Sequence, residues 1–144
     1  MDIKEVITVY DTDDYKNASY VRTTVFIEEQ GFAYEFDETD YTADHAVIYI
    51  NGEPAAAGRV FSEEGHEDMH IGRVCVMKKF RGTGIGARVM SVLEKVAAEK
   101  GATGVFLSAQ LTAAGFYERL GYEQYGDVYP DEGVPHIAMK KKFQ

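Results

Sequence analysis

Hydrophobic and polar positions along the chain alternate between two periods, one suited to short strands and one to amphipathic helices. Ile3 to Val9 is rich in β-formers and gives way to Asp11-Thr12-Asp13-Asp14, a set of helix N-capping side chains. Ala18, Val21, Val25 and Phe26 then recur at helical spacing, which predicts a first helix from Asp14 to Gln30, stopped by Gly31. Phe32 to Thr42 mixes aromatics and carboxylates without a period and reads as an ordered connection. Ala46 to Ile50 and Pro54 to Phe61 flank Asn51-Gly52, a pair that favours two-residue hairpin turns, so an antiparallel hairpin is expected there. A third strand follows from about Met69 to Met77, across a polar turn containing Gly65.

The most regular stripe in the chain is Ile85, Val89, Val92, Leu93 and Val96, which predicts a helix from Gly84 to Lys100 ended by Gly101. Val105 to Leu107 reads as a short strand, Thr112 as the cap of a helix running to Leu120, and Gly121 as its stop. Strands near Tyr122 and from Val134 to Met139 complete the pattern. A meander thus precedes a helical crossover, which should be right-handed and should leave the Met69 and Val105 strands parallel. The fold class expected is α/β (α+β), a central mixed sheet flanked by helices in one domain over residues 1–144.

Composition narrows the possibilities. At 144 residues with 45% apolar content, one continuous core fits and two would not. The net charge of −9 repels a phosphate backbone, so nucleic acid is not an expected partner; it would favour approach of a cationic substrate such as an amine, and an ordinary soluble cytosolic protein explains it equally well. The charged start Met1-Asp2-Ile3-Lys4-Glu5-Val6 is unlike a signal peptide, and no run approaches the roughly 18 apolar residues of a membrane span. A cytoplasmic protein without a membrane partner is the expectation. Cys75, the only cysteine, lies in an apolar run and reads as a buried structural thiol.

Arg81-Gly82-Thr83-Gly84-Ile85-Gly86-Ala87 lies between a strand and the best helix, where backbone amides and the helix dipole can hold an anion. Arg81 adds a charge-assisted donor, with Lys78 and Lys79 beside it. The string also satisfies Gly-x-Gly-x-x-Ala, but the next strand ends Leu107-Ser108-Ala109-Gln110, with no acid to bind a ribose. A Walker loop would need Lys then Ser or Thr where Ala87-Arg88 stands. His66-Glu67-Asp68-Met69-His70 matches a zinc-protease pattern, yet Gly65 and the neighbouring acids place it in a turn, so solvated histidines and no metal are expected.

Arg81-Gly82-Thr83-Gly84-Ile85-Gly86 resembles the pyrophosphate loop of the GNAT N-acetyltransferases. Val74-Cys75-Val76 precedes it, and Gly115-Phe116-Tyr117-Glu118-Arg119-Leu120-Gly121-Tyr122 follows at the family's separation. Val25-Phe26-Ile27-Glu28-Glu29-Gln30, Ala109-Gln110 and Pro135-His136-Ile137-Ala138-Met139 look like a small bacterial branch, the YjcF-like or ElaA-like proteins. The resemblance implies a sheet of about six to seven strands, splayed between the fourth and fifth. It implies acetyl-coenzyme A as cosubstrate, its pantetheine paired with the Val74, Cys75 and Val76 strand, and its pyrophosphate held by Gly82, Thr83, Gly84, Ile85, Gly86 and Ala87.

In that family the tyrosine of the Phe-Tyr motif, here Tyr117, protonates the departing thiolate. Phe116 reads as core by its spacing and joins the cofactor-binding set through the same motif. Gln110 stands where many relatives carry an asparagine that contacts the cofactor arm. For the base that must deprotonate the amine, Glu28, Glu29, Glu35, Asp37, Glu38, Asp40, His45 and His136 are all candidates. The resemblance favours Glu29, with Asp37 and His136 as acceptor-pocket residues. The expected activity is direct acetyl transfer to a primary amine of a small molecule or peptide. The alternative is an acyl-coenzyme A sensor without turnover, and the resemblance leaves a homodimer open.

Overall fold

Thr12 accepts the amide of Tyr15 at 3.0 Å and so starts α1 (Asp13–Arg22) directly after β1 (Ile3–Thr8). The computed structural model describes residues 1–144. The helix continues past Arg22, as expected, but Thr23–Glu29 widens into a π-helical turn. Thr23, Thr24, Val25 and Ile27 are β-branched and crowd a tight α turn, a feature that apolar spacing alone does not reveal. Gly31 closes it at φ 79°. Within the connection, Glu38–Tyr41 forms a 3-10 turn capped by Asp37, whose carboxylate accepts the Thr39 amide.

Asn51 and Gly52 take φ of 50° and 81°, as a tight hairpin requires, and join β2 (Asp44–Ile50) to β3 (Glu53–Ser62). β4 (Met69–Val76) extends the meander, and α2 (Ile85–Glu99) crosses over to β5 (Gly104–Gln110). β5 is longer than expected because all of it pairs with β7 (Val134–Lys142), a non-local partner. Thr112 is not a cap: it lies in a 3-10 turn, Leu111–Ala113, ahead of α3 (Ala114–Arg119), which has no side-chain cap. β6 (Glu123–Asp131) starts just after Tyr122 and forms the outer edge.

These strands form one mixed sheet of seven in the order β1-β2-β3-β4-β5-β7-β6. Side chains on β2 alternate faces: Ala46, Ile48 and Ile50 pack under α2, whereas Val47 and Tyr49 pack under α1 with Ala57 and Cys75. A Cβ on Gly58 would come within 2.9 Å of Leu93 and Val89, so this glycine lets α2 lie close on the sheet. No helix is long and apolar enough to cross a membrane. β4 and β5 are the only parallel neighbours, and they pair only at Met69 with Val105 and His70 with Phe106. Beyond that point β4 bulges at Arg73, φ 54°, and the two strands part.

Candidate active site

The parting of β4 from β5 opens a cleft of about 680 Å³. Val74, Val76, Gly86, Gln110 and Phe116 line it on the side of the loop, Asp37, Arg59, Phe61 and His70 on the side of the connection and the strand vertex, and Tyr117 and His136, the latter paired with Gln110, share the same surface. Val74, Cys75, Val76, Arg81, Gly86, Gln110 and Phe116 of the expected cofactor-binding set therefore share a cavity with Asp37 and His136 of the expected acceptor set, while Gly82, Thr83, Gly84, Ile85 and Ala87 are not on its wall.

The loop that enters α2 leaves its amides free. None of the N–H groups from Gly82 to Ala87 donates to another backbone group, and the first intrahelical donor is Arg88, to Gly84. Gly82 and Gly84 take φ of 79° and 84°, and a Cβ on either would meet nothing within 4 Å. Gly86 differs, because a Cβ there would press on the Phe116 ring at 3.2 Å. This fixes Phe116 as the residue that seats the loop. Unpaired amides at a helix N-terminus with open space before them fit a pyrophosphate.

Arg81 lines the cleft and is already engaged by protein groups. Its Nε donates to the Val76 carbonyl at 3.0 Å, and both terminal nitrogens pair with Glu29 at 2.6 Å. Glu29, the expected base, is consequently held as a carboxylate below its usual range by the Arg81 hydrogen bonds, and it does not line the cleft. Both observations argue against proton abstraction by Glu29. The pair, together with Gln110 Nε2 donating to Gln30 at 2.8 Å, ties the π-helical turn to both lips of the cleft.

Tyr117 is buried on α3, and its hydroxyl makes no hydrogen bond within the protein. Burial pushes its pKa up, so the phenol keeps its proton at neutral pH. Burial likewise pushes the Cys75 thiol up to about 12, which removes it as a thiolate nucleophile.

The carboxylates of the connection are not free catalytic groups. Glu35 pairs with Arg22, and Asp40 takes Arg22 at 2.9 Å, Arg59 at 2.7 Å and the Tyr15 hydroxyl at 2.6 Å. Asp37 is bridged by both ends of Arg59 and by Arg73, whose Nε donates to the Glu35 carbonyl. Hydrogen bonds from Arg59 hold Asp37 below its usual range. For Asp40, burial works to raise the pKa, but Arg22 and its hydrogen-bond donors hold it low. Arg22 and Asp40 are fully buried, so this cluster clamps the connection over the acceptor end.

Sequence reasoning missed the arginines of this clamp. Arg22 stands four residues after Ala18 on the apolar stripe of α1, and Arg59 interrupts an apolar strand; those were the available signals. His136 lines the cleft, with Nδ1 at 2.8 Å from the Val134 carbonyl. The expectation of solvated histidines at 66 and 70 holds for His66 alone. His70 is the second residue of β4, flanked by the tilted rings of Phe61 and Phe106 with centroids 4.7 Å from each. The segment is a turn and a strand start, not the helix a zinc-protease motif requires.

Residues 11–143 match the family described as acetyltransferase (GNAT) domain. YjcF of Bacillus subtilis, described as an uncharacterized N-acetyltransferase, is 38% identical over 132 residues, covering 90% of this chain and 93% of YjcF. The crystal structure of Escherichia coli ElaA aligns with a TM-score of 0.86 at 27% identity, over 97% of this chain and 99% of that one. An aminoglycoside 6'-N-acetyltransferase complexed with coenzyme A shares the fold, with a TM-score of 0.71 at 18% identity over 95% of this chain and 96% of that chain.

Proposed function

This chain belongs to the GNAT acetyltransferases and is an acyltransferase, and on that premise we propose that it moves an acetyl group from acetyl-coenzyme A to a primary amine by direct attack. The run of unpaired amides from Gly82 to Ala87, which meets the Tyr117 cleft at Gly86, is the observation that carries this reading. Bound acetyl-coenzyme A supplies an acetyl thioester. The amides hold the pyrophosphate, and the stretch of β4 from Val74 to Val76, which has lost β5 as a neighbour, orients the arm. Tyr117, protonated and without an internal partner, gives its proton to the departing sulfur. Cys75 stays a thiol, so no acyl-enzyme forms on it.

Asp37 and His136, both on the cleft wall, position the acceptor, and Asp37 is already fixed by Arg59 and Arg73. Asp131 and Glu132, at the turn between β6 and β7, line the same cavity and favour a cationic amine. The test is thiol release from acetyl-coenzyme A with spermidine, glucosamine, lysine and a tetrapeptide bearing a free N-terminus. Release that depends on one of these amines supports acyl transfer. Tight coenzyme A binding with no release from any of them would replace it with a sensor.

A further inference from the structure

We propose that His70 is the group that takes the proton from the acceptor amine, with Glu63 as its positioning residue, a role that rests on the acetyl transfer proposed above. Among the titratable side chains on the cleft wall, Glu35 and Asp37 are consumed by arginines, and Cys75 and Tyr117 hold their protons. Asp131 and Glu132 stand exposed on the β6–β7 turn at the rim, and the two histidines of the wall, His70 and His136, are left as the sheltered candidates. Two features separate them. His70 Nδ1 faces the Glu63 carboxylate at 3.5 Å, whereas the Nδ1 of His136 meets only a backbone carbonyl. Position is the other difference. His70 lies in the last β4–β5 pair, at the vertex of the cleft, and His136 pairs with Gln110 at its wide end.

The vertex is where an acyl group would arrive. From Val76 beside the phosphate loop to His70, β4 spans about 20 Å at about 3.3 Å per residue, comparable to a pantetheine arm. Phe61 and Phe106 flank the imidazole and fix its plane. Nδ1 is buried and makes no hydrogen bond at its 3.5 Å from Glu63, while the side chain is 24% exposed, and from this we infer that the edge bearing Nε2 is the open one. Burial lowers the His70 pKa and Glu63 opposes this, while Arg59 on β3 and His66 in the turn add to the lowering. The ring is therefore neutral and able to accept a proton, and the carboxylate stabilises the cation that forms.

The protons balance as follows. An alkylammonium gives one proton to His70 Nε2, which passes it to solvent. The freed nitrogen lone pair forms the C–N bond to the acetyl carbon. As the C–S bond breaks, Tyr117 protonates the sulfur, and the second proton lost by nitrogen replaces the one Tyr117 gave.

The test combines histidine side-chain NMR with kinetics on the full-length protein, using acetyl-coenzyme A and whichever amine of the panel the wild type acetylates. The His70 resonance, assigned by its loss in His70→Gln, should titrate below an ordinary histidine and lower still in Glu63→Gln. The acid limb of kcat/KM should follow it, moving to lower pH in Glu63→Gln and disappearing in His70→Gln. In His70→Gln kcat/KM should fall about a hundredfold with coenzyme A affinity unchanged. His136→Gln should keep the limb. A wild-type acid limb in His70→Gln, or a His70 titration that Glu63→Gln does not move, overturns the proposal alone. A wild type that acetylates no amine of the panel defeats the acyltransferase reading and this proposal with it.

Discussion

At the loop end of the cleft the groups proposed to hold the cofactor are backbone amides from one contiguous stretch, Gly82 to Ala87. At the acceptor end the charged groups are side chains brought together from α1, the connection, β3 and β4: Arg22, Glu35, Asp37, Asp40, Arg59 and Arg73. The first arrangement needs only a turn, two positive φ angles and a helix start, all of which neighbouring residues decide. The second needs the whole sheet folded before any partner meets another. One site therefore tolerates loss of a nearby charge, while the other depends on every charge it buries.

The largest contrast should appear in stability. Asp40→Asn removes the anion shared by buried Arg22 and Arg59, and should cost about 3–5 kcal/mol in urea unfolding. Gly84→Asp, in the backbone-built site, should leave most of the stability intact, at about 1–3 kcal/mol for the strained φ. It should instead abolish coenzyme A binding by calorimetry, because a negative side chain would stand where the amides face the phosphates. Gly86→Asp should act differently, by displacing the Phe116 ring.

Chemistry should separate from binding at Tyr117. Tyr117→Phe keeps the buried ring and removes the proton, so turnover should fall about a hundredfold with little change in cofactor affinity. The deficit should shrink with a more acidic thiol leaving group. Wild-type turnover at every pH would make Tyr117 a packing residue only.

Acid should attack the acceptor end first. Asp37 and Asp40 have lowered folded-state pKa values, so the stability they contribute is full above the unfolded value of about 3.9 and is lost as pH falls through the folded one. His45, buried beneath Asp40 and lowered by burial, acts in the same direction at higher pH: its contribution is full above about 6.5 and declines below. Urea midpoints measured from pH 8 to pH 3 should fall in those two windows, and Asp40→Asn should flatten the lower one.

The smallest effect belongs to Arg81. Its pair with Glu29 is exposed, so Arg81→Ala should change stability by under about 1 kcal/mol. It should weaken coenzyme A less than Gly84→Asp does, since the amides remain.

The same contrast explains what the residues disclosed before the structure was known. The Asn51-Gly52 hairpin, the stripe of α2 and the glycine loop were readable because each has a local cause. The π-helical turn was not, because apolar spacing does not report a change of hydrogen-bond register. Glu35, Asp37 and Asp40 looked like a carboxylate-rich catalytic segment, and their partners lie 13 to 38 residues away in sequence. His70 was grouped with the turn that precedes it, although the strand was expected from about Met69, because the His-Glu-x-x-His spacing was read as one unit.

The central claim, that backbone amides of one loop hold the cofactor's phosphates at the mouth of this cleft, is tested most directly by amide NMR with added coenzyme A. The largest shifts should fall on Gly82 to Ala87 and on Val74 to Val76, and should be absent in Gly84→Asp. Saturating coenzyme A that leaves those amides unmoved, or that shifts residues outside the cleft alone, would contradict it.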